Sequence, residues 1–171
     1  MHDTKQTVVF LRKNKKICLA QKKEDIHNKT SRLEGTKGVW NGYGGSLDET
    51  DKDILHCAVR EVKEESDVDL SIHELIPAGR ICFHWPVKDG KSNVMEVYFF
   101  FADHFSGEPK ETKEGKMGPP KFFSRNEIPY EEMMPGDRLL IPRMLDGEFV
   151  QGRIYLGKTN SRGEPLFIET A

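Results

Sequence analysis

Short apolar, β-branched runs alternate along the chain with polar, glycine-bearing stretches, and two segments break that rhythm with helical spacing. TVVFL at 7–11 and ICLAQ at 17–21 flank the polar RKNKK, which predicts a hairpin. GRICFHW at 79–85 and the very apolar MEVYFFFA at 95–102 predict a second, joined through the turn signal Lys88-Asp89-Gly90-Lys91. KFFS at 121–124 and GRIYLGK at 152–158 add two strands, the last followed by a polar tail. Between Asp51 and Glu65 no Gly or Pro interrupts, acids cluster at the start, and Ile54, Ala58 and Val62 recur at four-residue spacing beside Leu55. That spacing predicts an amphipathic helix of about four turns. A second helix is expected from about Asp137, with Leu140, Met144 and Leu145 on one face and Pro142 inside it as a kink or stop. The polar stretches 22–37 and 106–121 read as long loops.

Composition narrows the class. A chain of 171 residues, 36% of them apolar, buries the core of one domain without disulfides. Residues 1–171 are therefore read as a single domain with its core over about 4–158. The balance of 26 basic and 28 acidic residues leaves a net charge of -2, with no general pull towards nucleic acid polymers or anionic membranes, so any phosphate recognition has to be local. The polar start MHDTKQ has no signal-type segment, and no stretch is long enough to span a bilayer. Cys18, Cys57 and Cys82 are odd in number and lack a Cys-x-x-Cys pair, which suits reduced thiols. A cytoplasmic location is expected, with no membrane partner and an open oligomeric state in which a monomer is favoured. Six histidines without ligand spacing argue against zinc.

Candidate chemistry sits in REVKEES. On a helix, Glu61 and Glu65 lie one turn apart on the same face with Glu64 beside them. Like charges at that spacing destabilise a helix by about a few tenths of a kcal/mol per pair, and a divalent cation reverses the sign. Magnesium prefers hard oxygen ligands and, in phosphate chemistry, sits between carboxylates and substrate oxygens. The competing reading is a solvated face in which Arg60 pairs with Glu64. The Gly-rich turn GVWNGYGG at 38–45 tips the balance, because its main chain can approach both metal and phosphate.

Gly45, Asp51 and REVKEES followed by Asp67-Val68 together resemble the Nudix box: Gly, five residues, Glu, seven residues, then Arg-Glu-apolar-x-Glu-Glu-x-Gly-apolar. Arg60, Glu61, Val62, Glu64, Glu65 and Val68 match position for position. Asp51 stands in place of the first Glu, one extra residue separates it from Arg60, and Asp67 stands where the family has Gly. Asp is among the few residues other than Gly that adopt the left-handed conformation ending such a helix. VWNGYGG, MEVYFFF, EIPYEEMMPGD and the helix containing Pro142 extend the likeness over about residues 4–158, towards the MutT-type branch that acts on oxidised purine nucleoside triphosphates.

The resemblance implies an α/β (α+β) fold, a mixed sheet sandwiched between helices. It implies hydrolysis of substrates such as 8-oxo-dGTP to monophosphate and pyrophosphate with Mg²⁺, or Mn²⁺ in its place. Glu61, Glu64, Glu65 and a carbonyl of Gly44 or Gly45 are the expected metal ligands. Glu65, or Glu64 beside it, is the expected proton acceptor, and Arg60 orients Glu64. Glu111 or Glu114 is the candidate for a further ligand. Asn41 corresponds to a purine-binding Asn, against its alternative reading as a turn residue before Gly42. Met134 and Asp137 occupy the places of a stacking Trp and of one of two acids that read the base edge; Gly136 replaces the other. Alternatives are another diphosphate substrate, such as ADP-ribose or a dinucleoside polyphosphate, or a non-catalytic nucleotide-binding domain.

Overall fold

The computed structural model describes residues 4–27, 32–86 and 92–170. In chain order its elements are β1 (Thr4–Lys13), β2 (Lys16–Gln21), β3 (Ile26–His27), β4 (Arg32–Leu33), β5 (Trp40–Asn41), α1 (Ile54–Ser66), β6 (Ile76–Pro86), β7 (Ser92–Ala102), β8 (Lys121–Ser124), α2 (Asp137–Leu145), β9 (Val150–Thr159) and β10 (Pro165–Glu169). Seven strands run in the order β10-β9-β6-β7-β1-β2-β5, with β8 as a further partner of β2, while β3 and β4 pair separately. The pairs β1–β7 and β6–β9 are parallel and the others antiparallel, so the sheet is mixed.

The apolar run of β1 follows from its central place. Val9, Phe10 and Leu11 are all fully buried, as expected for a strand covered on both faces. Alternation divides them. Phe10 joins Phe99, Phe101, Ile81 and, from α2, Leu140, Ile141 and Met144 in one core. Val9 and Leu11 join Phe100, Ala102 and, from α1, Ala58 and Val62 in the other. The expected sheet between helices is therefore present, and Trp85, Phe99, Phe100 and Phe101 belong to its cores.

Both hairpins form. The first turns tightly at Asn14 and Lys15, both with positive φ (54° and 62°), as a two-residue hairpin turn demands. The turn at Lys88–Lys91 lies outside the described residues. The second helix runs from Asp137 to Leu145 with Pro142 inside it, as expected. Three expectations need correction. The first helix begins at Ile54, not Asp51, because Asp53 caps it by accepting from the His56 N–H (2.9 Å) and Asp51 is drawn into an ion pair instead. Within 22–37, β3 and β4 pair where only a loop was expected. The stretch after residue 158 is no plain polar tail: PLFIE forms β10 on the edge of the sheet against β9, too short and too half-exposed to show a clear period.

Asp67 closes α1 in the left-handed conformation (φ 60°), its N–H donating to the Lys63 carbonyl at 3.0 Å. Lys63 and Lys110 each pair with its carboxylate at 3.0 Å. The side chain that replaces the expected Gly thus has partners of its own.

Candidate active site

Arg60 organises the acids from behind. Its guanidinium donates through Nε and Nη2 to both oxygens of Asp51 at 2.7 Å, to Glu61 at 2.9 Å, to Glu64 at 3.2–3.3 Å, and to the carbonyl of Ser46 at 3.1 Å. Asp51 is only 3% exposed, and the forked pair holds its carboxyl below the usual range. The expected Arg60–Glu64 contact exists, but Asp51 is the stronger partner.

The Gly-rich turn lies against this helix because β1 leaves it no other place. The Thr7 N–H donates to the Gly45 carbonyl at 3.0 Å, and a Cβ at Gly44 would sit 1.7 Å from the Thr7 carbonyl oxygen. A Cβ at Gly45 would sit 2.5 Å from the Glu61 carboxylate. These glycines are required by close approach, at ordinary backbone angles. The Gly44 N–H donates to Glu65 at 3.1 Å. Glu65 is 5% exposed, and its pKa is pushed up to about 8, chiefly by burial, with Lys22 opposing and Glu61 adding to the rise. Burial also raises Glu61, against the pull of Arg60.

A cavity of about 320 Å³ opens on Gly44, Gly45, Glu61, Glu64 and Glu65. Glu114 lines it; Glu111 does not, and instead pairs with Lys23 at 3.0 Å. Among the described residues, no three His, Cys, Asp or Glu side chains already form a metal-binding group. Glu61 and Glu64 are held on Arg60, and Glu65 on the Gly44 amide. The donors nonetheless suit a hard divalent cation: the carboxylate-bearing Glu61, Glu64 and Glu65 line one cavity together with Gly44 and Gly45.

A second, smaller cavity of about 60 Å³ adjoins the first and shares Gly44, Gly45 and Lys22 with it. Asn41, Met134 and Asp137 all line it, among Phe83, Val97 and Phe99. Asn41 also accepts from the Gly42 N–H at 2.8 Å, so its turn geometry and its place in the wall coexist. Asp137 is 3% exposed; its Oδ2 has no hydrogen-bond partner, and burial pushes its pKa up to about 7. Glu111 apart, the residues expected at the site, from Asn41 to Asp137, thus line two adjoining cavities, with Arg60 just behind them. Cys57 on α1 is buried, and burial pushes its pKa up to about 12, so its thiol stays protonated and unreactive.

Sequence reasoning missed Lys22 and Lys116, which both line the larger cavity. Burial lowers the Lys22 pKa, with Glu65 the largest opposing influence. A signal for Lys22 was available: Cys18 and Ala20 point from β2 to the α1 side, and the same alternation carries residue 22 there. Lys116 arrives on the 106–118 loop and pairs with Glu24 at 3.0 Å, a contact no local pattern announces.

The NUDIX domain family model matches residues 1–144. The oxidized purine nucleoside triphosphate hydrolase of Danio rerio is 34% identical over 132 residues, 77% of this chain and 76% of that protein. Its counterpart from Mus musculus is 32% identical over 139 residues, 81% and 78% of the two chains. In fold, the chain resembles the crystal structure of a MutT protein from Bacillus halodurans, with a TM-score of 0.70 at 20% identity over 97% of both chains. Hydrolases of this family generally need divalent metal cations. A family match over most of the chain, carried by an intact Arg60-Glu61-Glu64-Glu65 set, makes the protein a member of the Nudix family and one of its pyrophosphohydrolases.

Proposed function

We propose that this enzyme hydrolyses purine nucleoside triphosphates, oxidised ones such as 8-oxo-dGTP included, to the monophosphate and pyrophosphate with Mg²⁺. The observation that carries this reading is the adjacency of the two cavities. A carboxylate-lined space suited to a charged polyphosphate shares Gly44, Gly45 and Lys22 with a largely apolar space lined by one buried acid, Asp137, whose Oδ2 has no hydrogen-bond partner. The names of the Danio rerio and Mus musculus relatives support the same substrate class.

Glu61, Glu64 and Glu65, with a carbonyl of Gly44 or Gly45, are the residues that would hold the cation. Bound magnesium supplies Lewis acidity towards phosphate oxygens and a water of lowered pKa. Glu65, whose carboxylate is held by the Gly44 N–H, is the residue that would accept the proton of the attacking water. Glu64, its side chain 54% exposed and 3.2–3.3 Å from Arg60, is free to turn into the cavity. Lys22 faces the same space and offsets part of the polyphosphate charge. Asp137, neutral below about pH 7, has a proton to donate to an acceptor on the base edge, while Asn41 lines the cavity from the β5 side.

Three free thiols support a cytoplasmic setting, and no described helix is long and apolar enough to cross a membrane. The deciding experiment incubates the protein and Mg²⁺ with 8-oxo-dGTP, dGTP, ADP-ribose and a dinucleoside polyphosphate and identifies the products. Monophosphate plus pyrophosphate from the triphosphates, abolished by Glu65→Gln in a folded protein, is expected. Exclusive cleavage of ADP-ribose, or full activity in the Gln variant, would overturn the assignment.

A further inference from the structure

The larger cavity has two sides of opposite character. Glu61, Glu64 and Glu65 line it from α1, whereas its cations among the described residues, Lys22 and Lys116, come from two segments laced together. Lys22 and Met117 pair as an antiparallel bridge, the Lys23 N–H donates to the Lys116 carbonyl at 2.8 Å, and the Gly118 N–H donates to the Gln21 carbonyl at 2.8 Å. Met117 is fully buried in the core beneath α1, so the main chain that carries Lys116 is anchored. Its side chain is held less firmly: the ammonium ends on Glu24 at 3.0 Å, with both partners half-exposed. An ion pair so open to water adds little stability and exchanges partners easily.

Position relative to the smaller cavity separates the two cations. Lys22 lines both cavities, whereas Lys116 lines the larger alone. With the base in the smaller cavity, the phosphate nearest the sugar lies by the shared residues Lys22, Gly44 and Gly45. The rest of the phosphate chain then runs into the part of the larger cavity that the base space does not share. Apart from Lys116, the ionisable residues lining that part are acids, and Lys116 is close enough for its charge to be felt at both Glu65 and Lys22. The terminal phosphate is the most negatively charged of the chain, and Lys116 is the side chain there with a positive charge to meet it.

Resting on the nucleotide placement of the proposed function, we propose that Lys116 is the specificity residue that measures the length of the phosphate chain. It exchanges Glu24 for the terminal phosphate of a nucleoside triphosphate, a contact that the diphosphate, one phosphate shorter, does not reach. Lys116 then holds the pyrophosphate half of the substrate, and Glu24 neutralises and positions the ammonium between turnovers.

The test compares a purine nucleoside triphosphate with its diphosphate by kcat/KM with Mg²⁺, and compares by calorimetry the binding of their non-hydrolysable α,β-imido counterparts. The unmodified enzyme should favour the triphosphate at least about tenfold in both measurements. Lys116→Gln should weaken the triphosphate about tenfold and leave the diphosphate within about twofold, and Lys116→Arg should keep the preference. Glu24→Gln, which removes the competitor for Lys116, should bind the triphosphate analogue about threefold more tightly; it decides the matter if Lys116→Gln does not fold. If Lys116 merely ties the two segments together, Lys116→Gln and Glu24→Gln will both weaken the two nucleotides alike, and that result overturns the inference. A parent enzyme that does not distinguish triphosphate from diphosphate overturns it too and leaves the proposed function standing. Hydrolysis of neither nucleotide overturns the proposed function and the inference with it.

Discussion

Thr112 donates its hydroxyl to the carbonyl of Glu64 at 2.7 Å and accepts the Gly115 N–H at 3.0 Å, so a residue 48 positions away caps the helix that carries the acids. The Lys110 N–H does the same for the carbonyl of Ser66 at 3.1 Å. The last turn of a helix leaves carbonyls without partners, and here the 106–118 loop supplies them in trans. Gly115 lies so close that a Cβ there would sit 3.1 Å from Glu65 Cα. Removing the hydroxyl loosens both helix end and loop. Thr112→Val is expected to lose about 1–2 kcal/mol of stability and about tenfold in kcat, whereas Thr112→Ser keeps both. Thermal melts and steady-state kinetics check this, and equal behaviour of the two variants would show that the hydroxyl holds nothing.

Neighbouring glycines should fail in different ways. In Gly44→Ala the added methyl meets the main chain of β1, so soluble, folded protein is not expected. In Gly45→Ala it meets only the end of the flexible Glu61 side chain, which can move aside. That variant should melt within a few degrees of the parent and yet lose most of its activity, because Glu61 is displaced. Circular dichroism beside an activity assay separates the outcomes.

Arg60 should matter for stability as well as turnover. Arg60→Ala strands the carboxylate of Asp51, 3% exposed, without its forked partner. A loss of about 3 kcal/mol is expected in denaturant unfolding. Arg60→Lys keeps the charge but cannot make the paired bonds to Asp51, so it should recover only part of that loss. A midpoint unchanged in Arg60→Ala would show that the pair contributes nothing.

Asp137 gives the metal-free protein a pH dependence of definite sign. Burial raises its pKa from the ordinary 3.8 of an aspartate to about 7, so the folded state binds the proton more tightly than the unfolded chain. Its contribution is fully present below about pH 4, declines through the interval up to pH 7, and is gone above that. Glu65, raised to about 8, acts in the same direction. Melting temperature should therefore fall between pH 5 and pH 8, and Asp137→Asn should flatten the curve. A parent whose stability rises with pH over this interval would contradict the burial of both acids.

Local pattern made much of this visible beforehand. Four-residue spacing revealed α1, β-branched runs revealed β1, β2, β6 and β7, and Asp67 was legible as a left-handed cap. What escaped notice depends on partners distant in sequence. Asp51 leaves the helix because Arg60 claims it, β10 exists because β9 offers an edge, and Lys116 reaches the cavity on a loop with no period of its own. Chemistry confined to one helix could be read directly; walls assembled from separate strands could not.

The parallel alliance of β1 with β7 has a consequence for the protein's birth on the ribosome. Thr4 faces Met95 and Leu11 faces Ala102, so β1 is made well before β7 and stays without that neighbour until the intervening β2 to β6 and α1 have been synthesised. Contacts so far apart in the chain form slowly. During that interval the Val9-Phe10-Leu11 run, wholly buried in the folded protein, lacks the strand that covers one of its edges.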